Sequence, residues 1–255
     1  MSILSQCIRL DPEYRELLRA VSRDFREKPL PILASGLCEG ASDAFLIALL
    51  QDTVKERGGR CALLLCAEEK DCVRLSSTLE RHGVRSAFYM ARDLTFYNIT
   101  ASHEYEHERL KVLSGILEGK YDAIVTTPDA ALSYTIPPER LISANTVIEY
   151  GKTTIEPSLL ASKLIEAGYV RVEMVDAPGQ FALRGGIFDI FPAVARFTDI
   201  DGNAAMETSP FRIELFGDEI DRMVYFDPLS QRSEGECREV RLLPARELLV
   251  SSEAR

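Results

Sequence analysis

The chain has no tryptophan, three histidines and six cysteines in 255 residues, and its 30 Lys and Arg are outnumbered by 40 Asp and Glu. Each shortage narrows what the chain can do. A formal charge of -10 repels a phosphate backbone rather than gathering its counterions, so strong nonspecific DNA binding is not expected. The cysteines, Cys7, Cys38, Cys61, Cys66, Cys72 and Cys237, include no C-x-x-C pair of the kind that holds zinc. Cys61 and Cys66 flank an apolar run and read as reduced, buried thiols. No apolar run approaches the roughly 18 residues of a membrane span, and no basic stretch near the N-terminus leads into an apolar one. A cytoplasmic chain without membrane contact is expected. The sequon Asn98-Ile99-Thr100 is then a chance match, because glycosylation needs a secretory route.

What is present is a chain long enough for two ordinary domains, with 46% hydrophobic residues to fill their cores. Near the start, "DPEYRELLRAVSRDF" spaces its apolar residues as a helix, with Asp11 as N-cap and Pro12 at the first helical position. "LPILASG" then reads as a buried strand, followed by a helix over about Ser42 to Arg57 that Gly58-Gly59 stops. The alternation goes on with a strand at Cys61 to Ala67, a helix at Glu68 to His82 and a strand at Ser86 to Ala91. A helix from about Ser102 to Glu118 and a strand at Tyr121 to Thr127 complete it. Apolar strands exchanged regularly with helices indicate a parallel sheet covered on both faces.

Beyond about Thr127 the pattern changes. A helix over Glu156 to Tyr169 leads into "FALRGGIFDIFPA" and "PFRIELFGDEIDRMVYFD". In the second, Arg212, Glu214 and Phe216 alternate with Phe211, Ile213 and Leu215, and Gly217-Asp218 supplies the turn of an antiparallel hairpin. The second half is therefore expected to be a small α+β domain.

Two motifs suggest catalysis and are tested against their chemistry. A phosphate-binding loop reads G-x-x-x-x-G-K-[ST], its lysine meeting the phosphates and its hydroxyl the magnesium. Here the loop from Ser35 to Asp43 has Gly36, but Ser42 stands at the lysine position and Asp43 at the hydroxyl position, with Gly40 inside the loop. Glu39 and Asp43 would face a polyanion, and two like charges at about 4 Å repel by several kcal/mol at an effective dielectric near 20. An ordinary helix start, capped by Ser42 or Asp43, is the alternative. The second motif is His103-Glu104-Tyr105-Glu106-His107, a literal H-E-x-x-H, which offers a zinc-peptidase reading. Its third ligand would have to be a carboxylate such as Glu118, since the remaining histidine is His82, and its surroundings are a charged helix start. No metal and no cofactor are expected.

Three further segments stand together: "LRGGIFDIFPA" at Leu183 to Ala193, "PFRIELFGDEIDRMVYFDPLSQRS" at Pro210 to Ser233, and "LLPARE" at Leu242 to Glu247. In this order they resemble a bacterial DNA-repair module shared by the nucleotide-excision repair helicase UvrB and the transcription-repair coupling factors, Mfd. "SQRS" and the absent loop lysine favour the coupling factors. The resemblance covers essentially the whole chain, diffusely before Thr127 and sharply after Gly168.

The resemblance implies an α/β fold: a degenerate helicase-like parallel-sheet domain over residues 1–130, an inserted smaller α+β domain over 131–240, and a cut start of the next segment over 241–255. It implies a non-enzymatic docking module whose inserted domain binds UvrA through arginines. Carried onto this chain, those are Arg171 and Arg184, with Phe181, Phe188 and Glu214 as further contacts. UvrB has another arginine two residues before the second of these, where this chain has Ala182. In the family's full-length proteins the same surface faces their own C-terminal domain. The motor and the RNA polymerase contact lie beyond this segment, so no RNA polymerase contact is expected from it. Gly185 and Gly186 read as a bulge or bend.

Overall fold

A computed structural model describes residues 3–21, 31–38, 40–54, 60–92, 103–199 and 201–249. They group into two compact units, Met1–Leu94 with Val112–Ser133, and Thr95–Lys111 with Tyr134–Arg255. Among the described residues no helix is long and apolar enough to cross a membrane.

Unit 1 begins with α1 (Ile3–Leu10) and α2 (Pro12–Val21). The Asp11 carboxylate accepts from the Glu13 amide at 2.8 Å, as a cap should, and Pro12 opens the helix where its missing N–H costs nothing. Then come α3 (Ala41–Thr53), β1 (Ala62–Leu65), α4 (Glu69–Arg81), β2 (Ser86–Tyr89), α5 (Glu104–Leu117), β3 (Ala123–Thr126) and α6 (Pro128–Leu132). The first half of α5 groups with unit 2 and the second half with unit 1. The three strands run parallel in the order β1-β3-β2. Ile47 and Leu50 of α3 and Cys72, Leu75 and Leu79 of α4 pack on one side, against Ala123 and Val125. Val112 of α5 packs with Tyr89, Ile124 and Ala130 in a second cluster. Helices pack against the parallel sheet and β3 in its centre is buried at every position, but on β1 Leu63 and Leu65 stay exposed, so the expected cover on both faces does not extend to this edge strand. Arg9 of α1 and Tyr14 of α2 both donate to the Asp52 carboxylate of α3, at 2.9 and 2.7 Å, which fastens the first two helices to the third.

One expected element is absent. Residues 31–38 form no strand, and all are exposed; Leu30 lies outside the described residues. Pro31 has no amide proton to give a sheet ladder, and the apolar run that follows it finds no strand to pair with. The expected helix stop at Gly58-Gly59 also lies outside the described residues.

Unit 2 contains α7 (Pro138–Ser143), β4 (Thr146–Glu149), α8 (Pro157–Glu166) and β5 (Val170–Arg171). These are followed by β6 (Gln180–Arg184), β7 (Ile187–Phe191), β8 (Ala195–Asp199), β9 (Ala204–Glu207), β10 (Phe211–Phe216), β11 (Glu219–Phe226) and β12 (Ser233–Leu242). The sheet runs β5-β6-β7-β10-β11-β12-β8-β9, with β4 on β12, and every pairing except β5 with β6 is antiparallel. The hairpin expected at Gly217-Asp218 is present, with Gly217 in the left-handed region at φ +65°. One sheet face carries Phe181, Phe188, Ile190, Phe211, Ile213 and Met223, covered by Leu160, Ala161 and Leu164 of α8. β12 runs through residue 240, the expected domain boundary, and Leu242 and Ala245 join the same core, so the segment from 241 packs as part of this unit.

Candidate partner-binding site

The strand register assigns each side chain of unit 2 to a face. Arg184 stands opposite Ile187, Ile187 opposite Glu214, and Glu214 opposite Arg222, a row across β6, β7, β10 and β11. The next row holds Ala182, Asp189, Arg212 and Val224. Because residues directly opposite share a face, both rows lie away from the main core. Asp189 sits in the apolar run "IFDIF" with its side chain only 1% exposed. A buried carboxylate must be compensated, and two guanidiniums do so. Arg212 donates from both Nε and Nη2, the latter at 3.0 Å, and Arg184 donates from Nη2. Arg212 also donates to Gln231 Oε1 at 3.0 Å and lies over the Phe226 ring at 4.8 Å. The bond to Asp189 holds the Arg212 guanidinium above its ordinary pKa. One polar knot therefore joins residues from all three of the R-G-G, R-I-E and F-D-P-x-S-Q segments. Sequence reading quoted the motifs and missed Asp189 as their centre; the clue was a carboxylate inside an apolar strand.

The expected contact residues separate. Arg184 keeps 51% of its side chain exposed while Asp189 steadies it. Arg171 is also exposed, on edge strand β5, but it pairs in register with Phe181 and so lies on the core-facing side of the sheet, opposite to Arg184. Phe181 and Phe188, expected as contacts, are fully buried in the core, because their positions on β6 and β7 fall on the inward side of the alternation. That reading is corrected. Glu214 is half-buried and stands opposite Arg222, while Arg212 lies two residues before it on the same strand. Ala182 is buried against Val175 and Phe226. Gly185 and Gly186 form the turn between β6 and β7 rather than a bulge, Gly185 at φ +61°. A Cβ on Gly186 would come within 2.9 Å of the Leu215 carbonyl, whose own amide donates to Gly186 O at 2.8 Å.

Residues 148–248, which contain this row and knot, match the UvrB interaction domain. Over 257 aligned residues, 99% of the chain and 20% of the relative, it is 30% identical to the transcription-repair-coupling factor of Bacillus subtilis (strain 168). The chain belongs to the N-terminal, UvrB-like region of transcription-repair coupling factors. The transcription-repair-coupling factor of Staphylococcus aureus (strain USA300) is 30% identical over 154 residues, 60% of the chain and 12% of that protein. The chain thus spans about a fifth of the B. subtilis relative and less of the second.

In this coupling-factor segment the two catalytic motifs take other roles. Gly36, at φ +81°, lies in the coil of residues 31–38, so no strand delivers the loop to α3. Gly40 is the N-cap residue, in the left-handed region, and no side chain caps the helix, which corrects the expectation that Ser42 or Asp43 would. Ser42 is exposed, and the Asp43 carboxylate is taken by Arg74 of α4.

The H-E-x-x-H histidines are also engaged. The His103 Nδ1 accepts from Arg246, and Glu106 accepts from the Glu247 amide. His107 is buried beside Gly179, and that burial pushes its pKa down to about 4. Glu118 pairs with Lys120 at 2.9 Å, and His82 Nδ1 lies 2.8 Å from the Thr78 carbonyl. Among the described residues no group of three His, Cys, Asp or Glu could hold a metal ion. The helix instead supplies Arg109, which forms a two-point ion pair with Glu247 at 3.0 and 3.1 Å, both side chains 1% exposed. This pair anchors the "LLPARE" segment, another role that the motif alone did not reveal.

Proposed function

We propose that this segment is a non-enzymatic docking module that binds UvrA through the sheet of unit 2 and so brings excision repair to a stalled transcription complex. The observation that carries the reading is Arg184: its guanidinium is half exposed on an open sheet face, yet held in place by a buried carboxylate. An arginine fixed before binding loses little rotamer freedom on forming paired, charge-assisted bonds with a partner's carboxylate. Arg171 reaches the same partner from the edge strand, and Glu214 lies in the same cross-strand row as Arg184. With Arg171 and Arg184 on opposite faces, the partner wraps the β5 edge and extends over the face that carries Arg184 and Glu214. The absence of a lysine from the loop after Gly36, and the ion pair that takes up Asp43, support a role without nucleotide chemistry.

A pull-down with purified UvrA tests it. Retention of the wild type and loss in Arg171→Ala/Arg184→Ala is the expected result, since truncating one central arginine costs about 2 kcal/mol, roughly thirtyfold in affinity. Equal retention of both forms defeats the proposal.

A further inference from the structure

We infer that Phe216 is the apolar anchor of this docking surface, and that Arg184, Ile187, Glu214 and Arg222 form the row it stands on. The inference rests on the docking reading above and adds to it a residue and a contact chemistry.

Aromatic side chains dominate interface energy, and the two that sequence reading offered, Phe181 and Phe188, are in the core. Phe216 is 83% exposed at the end of β10, where Gly217 turns the chain. A single exposed apolar side chain is ordinary. The placement of this one is not. Along β10 the alternation is regular, Leu215 packing on the core and Glu214 and Phe216 on the other side. Ile187, 38% exposed, stands opposite Glu214, so Phe216 is its diagonal neighbour on the same face, within reach of an aromatic side chain. The bond from the Leu215 amide to Gly186 O joins the tips of the two hairpins that present them. A register shift in the β10–β11 pairing begins at Leu215, a feature that often sets the aim of side chains beside a site.

The surface has the anatomy of an interaction hot spot: a large aromatic and an aliphatic side chain, with charged groups around them. Its charge also constrains the partner. The row carries two guanidiniums, Arg184 and Arg222, and one carboxylate, Glu214, and Glu219 stands directly opposite Phe216, so the anchor is bordered by both signs of charge. The matching face on UvrA is therefore an apolar recess with carboxylates placed for Arg184 and Arg222 and donors placed for Glu214 and Glu219. Another copy of this acidic chain is a poorer match, because its remaining surface is repelled.

The test is the affinity of UvrA for the wild type, Phe216→Ala, Arg184→Ala and Arg222→Ala, with melting temperature and sedimentation of each. Phe216→Ala is expected to melt like the wild type, remain monomeric and lose at least tenfold in affinity. Wild-type affinity in Phe216→Ala, with Arg184→Ala weakened, overturns the anchor and leaves the docking reading intact. No UvrA binding by the wild type overturns both. A wild-type dimer that Phe216→Ala dissociates also overturns the inference, since the aromatic then serves self-association. Replacing Phe216 by a photo-crosslinking phenylalanine provides an independent readout, in which a covalent adduct with UvrA is expected.

Discussion

Unit 1 and unit 2 hold their charges in different places. In unit 1 the Asp43–Arg74 and Arg85–Asp122 pairs lie at the surface, joining neighbouring elements with at least one partner largely in water. In unit 2 the Asp189–Arg212 and Arg109–Glu247 pairs are taken out of water. An exposed pair contributes under about 1 kcal/mol, so its residues can change at little cost. A buried pair that loses one member leaves an uncompensated charge, at about 3–5 kcal/mol. The motifs of unit 2 surround buried charges and a glycine turn with no room for a side chain. The family match over residues 148–248 lies wholly within the second kind of region.

The largest expected effect tests that contrast directly. Asp189→Asn should destabilise unit 2 by about 3–5 kcal/mol in denaturant unfolding followed by circular dichroism, whereas Asp43→Asn should change unit 1 by less than about 1 kcal/mol. Similar losses in both would remove the distinction. Replacing Arg109 and Glu247 together by Met and Leu should recover most of what either single change loses, because no charge is then stranded.

A smaller effect is expected from pH. His107 is held near pKa 4 in the fold against about 6.5 in the unfolded chain, so the unfolded state binds more protons between those values. Stability is complete above about pH 6.5 and falls as pH drops towards 4, by about 2–3 kcal/mol. His107→Gln should flatten the profile; an unchanged slope in that variant would assign the pH dependence to other groups.

Smaller still is the glycine turn. Gly186→Ala drives a Cβ into the Leu215 carbonyl and should cost about 1–3 kcal/mol in thermal unfolding. Gly185→Ala meets open space and carries only the left-handed strain, about 1 kcal/mol. If the order were reversed, conformation rather than close approach would control the turn.

Much of the fold was legible because it is local. Asp11 before Pro12, the apolar runs of β1, β2 and β3, and Gly217-Asp218 between two alternating segments each carry their instruction within a few residues. "LPILASG" was misread because apolar character alone does not supply a neighbouring strand, and Pro31 lacks a donor to recruit one.

The candidate site was less legible. Phe181 and Phe188 resemble Phe216 in composition, but one residue along a strand reverses the face, and which face meets α8 follows from pairings between segments far apart in the chain. Secondary-structure periodicity and the motif order could be read from the amino acids alone, since both are short-range patterns. That Asp189 would gather Arg184, Arg212 and, through Arg212, Gln231, and that Phe216 would remain in water, depended on strand register. Register is settled only when distant strands meet and one face is buried.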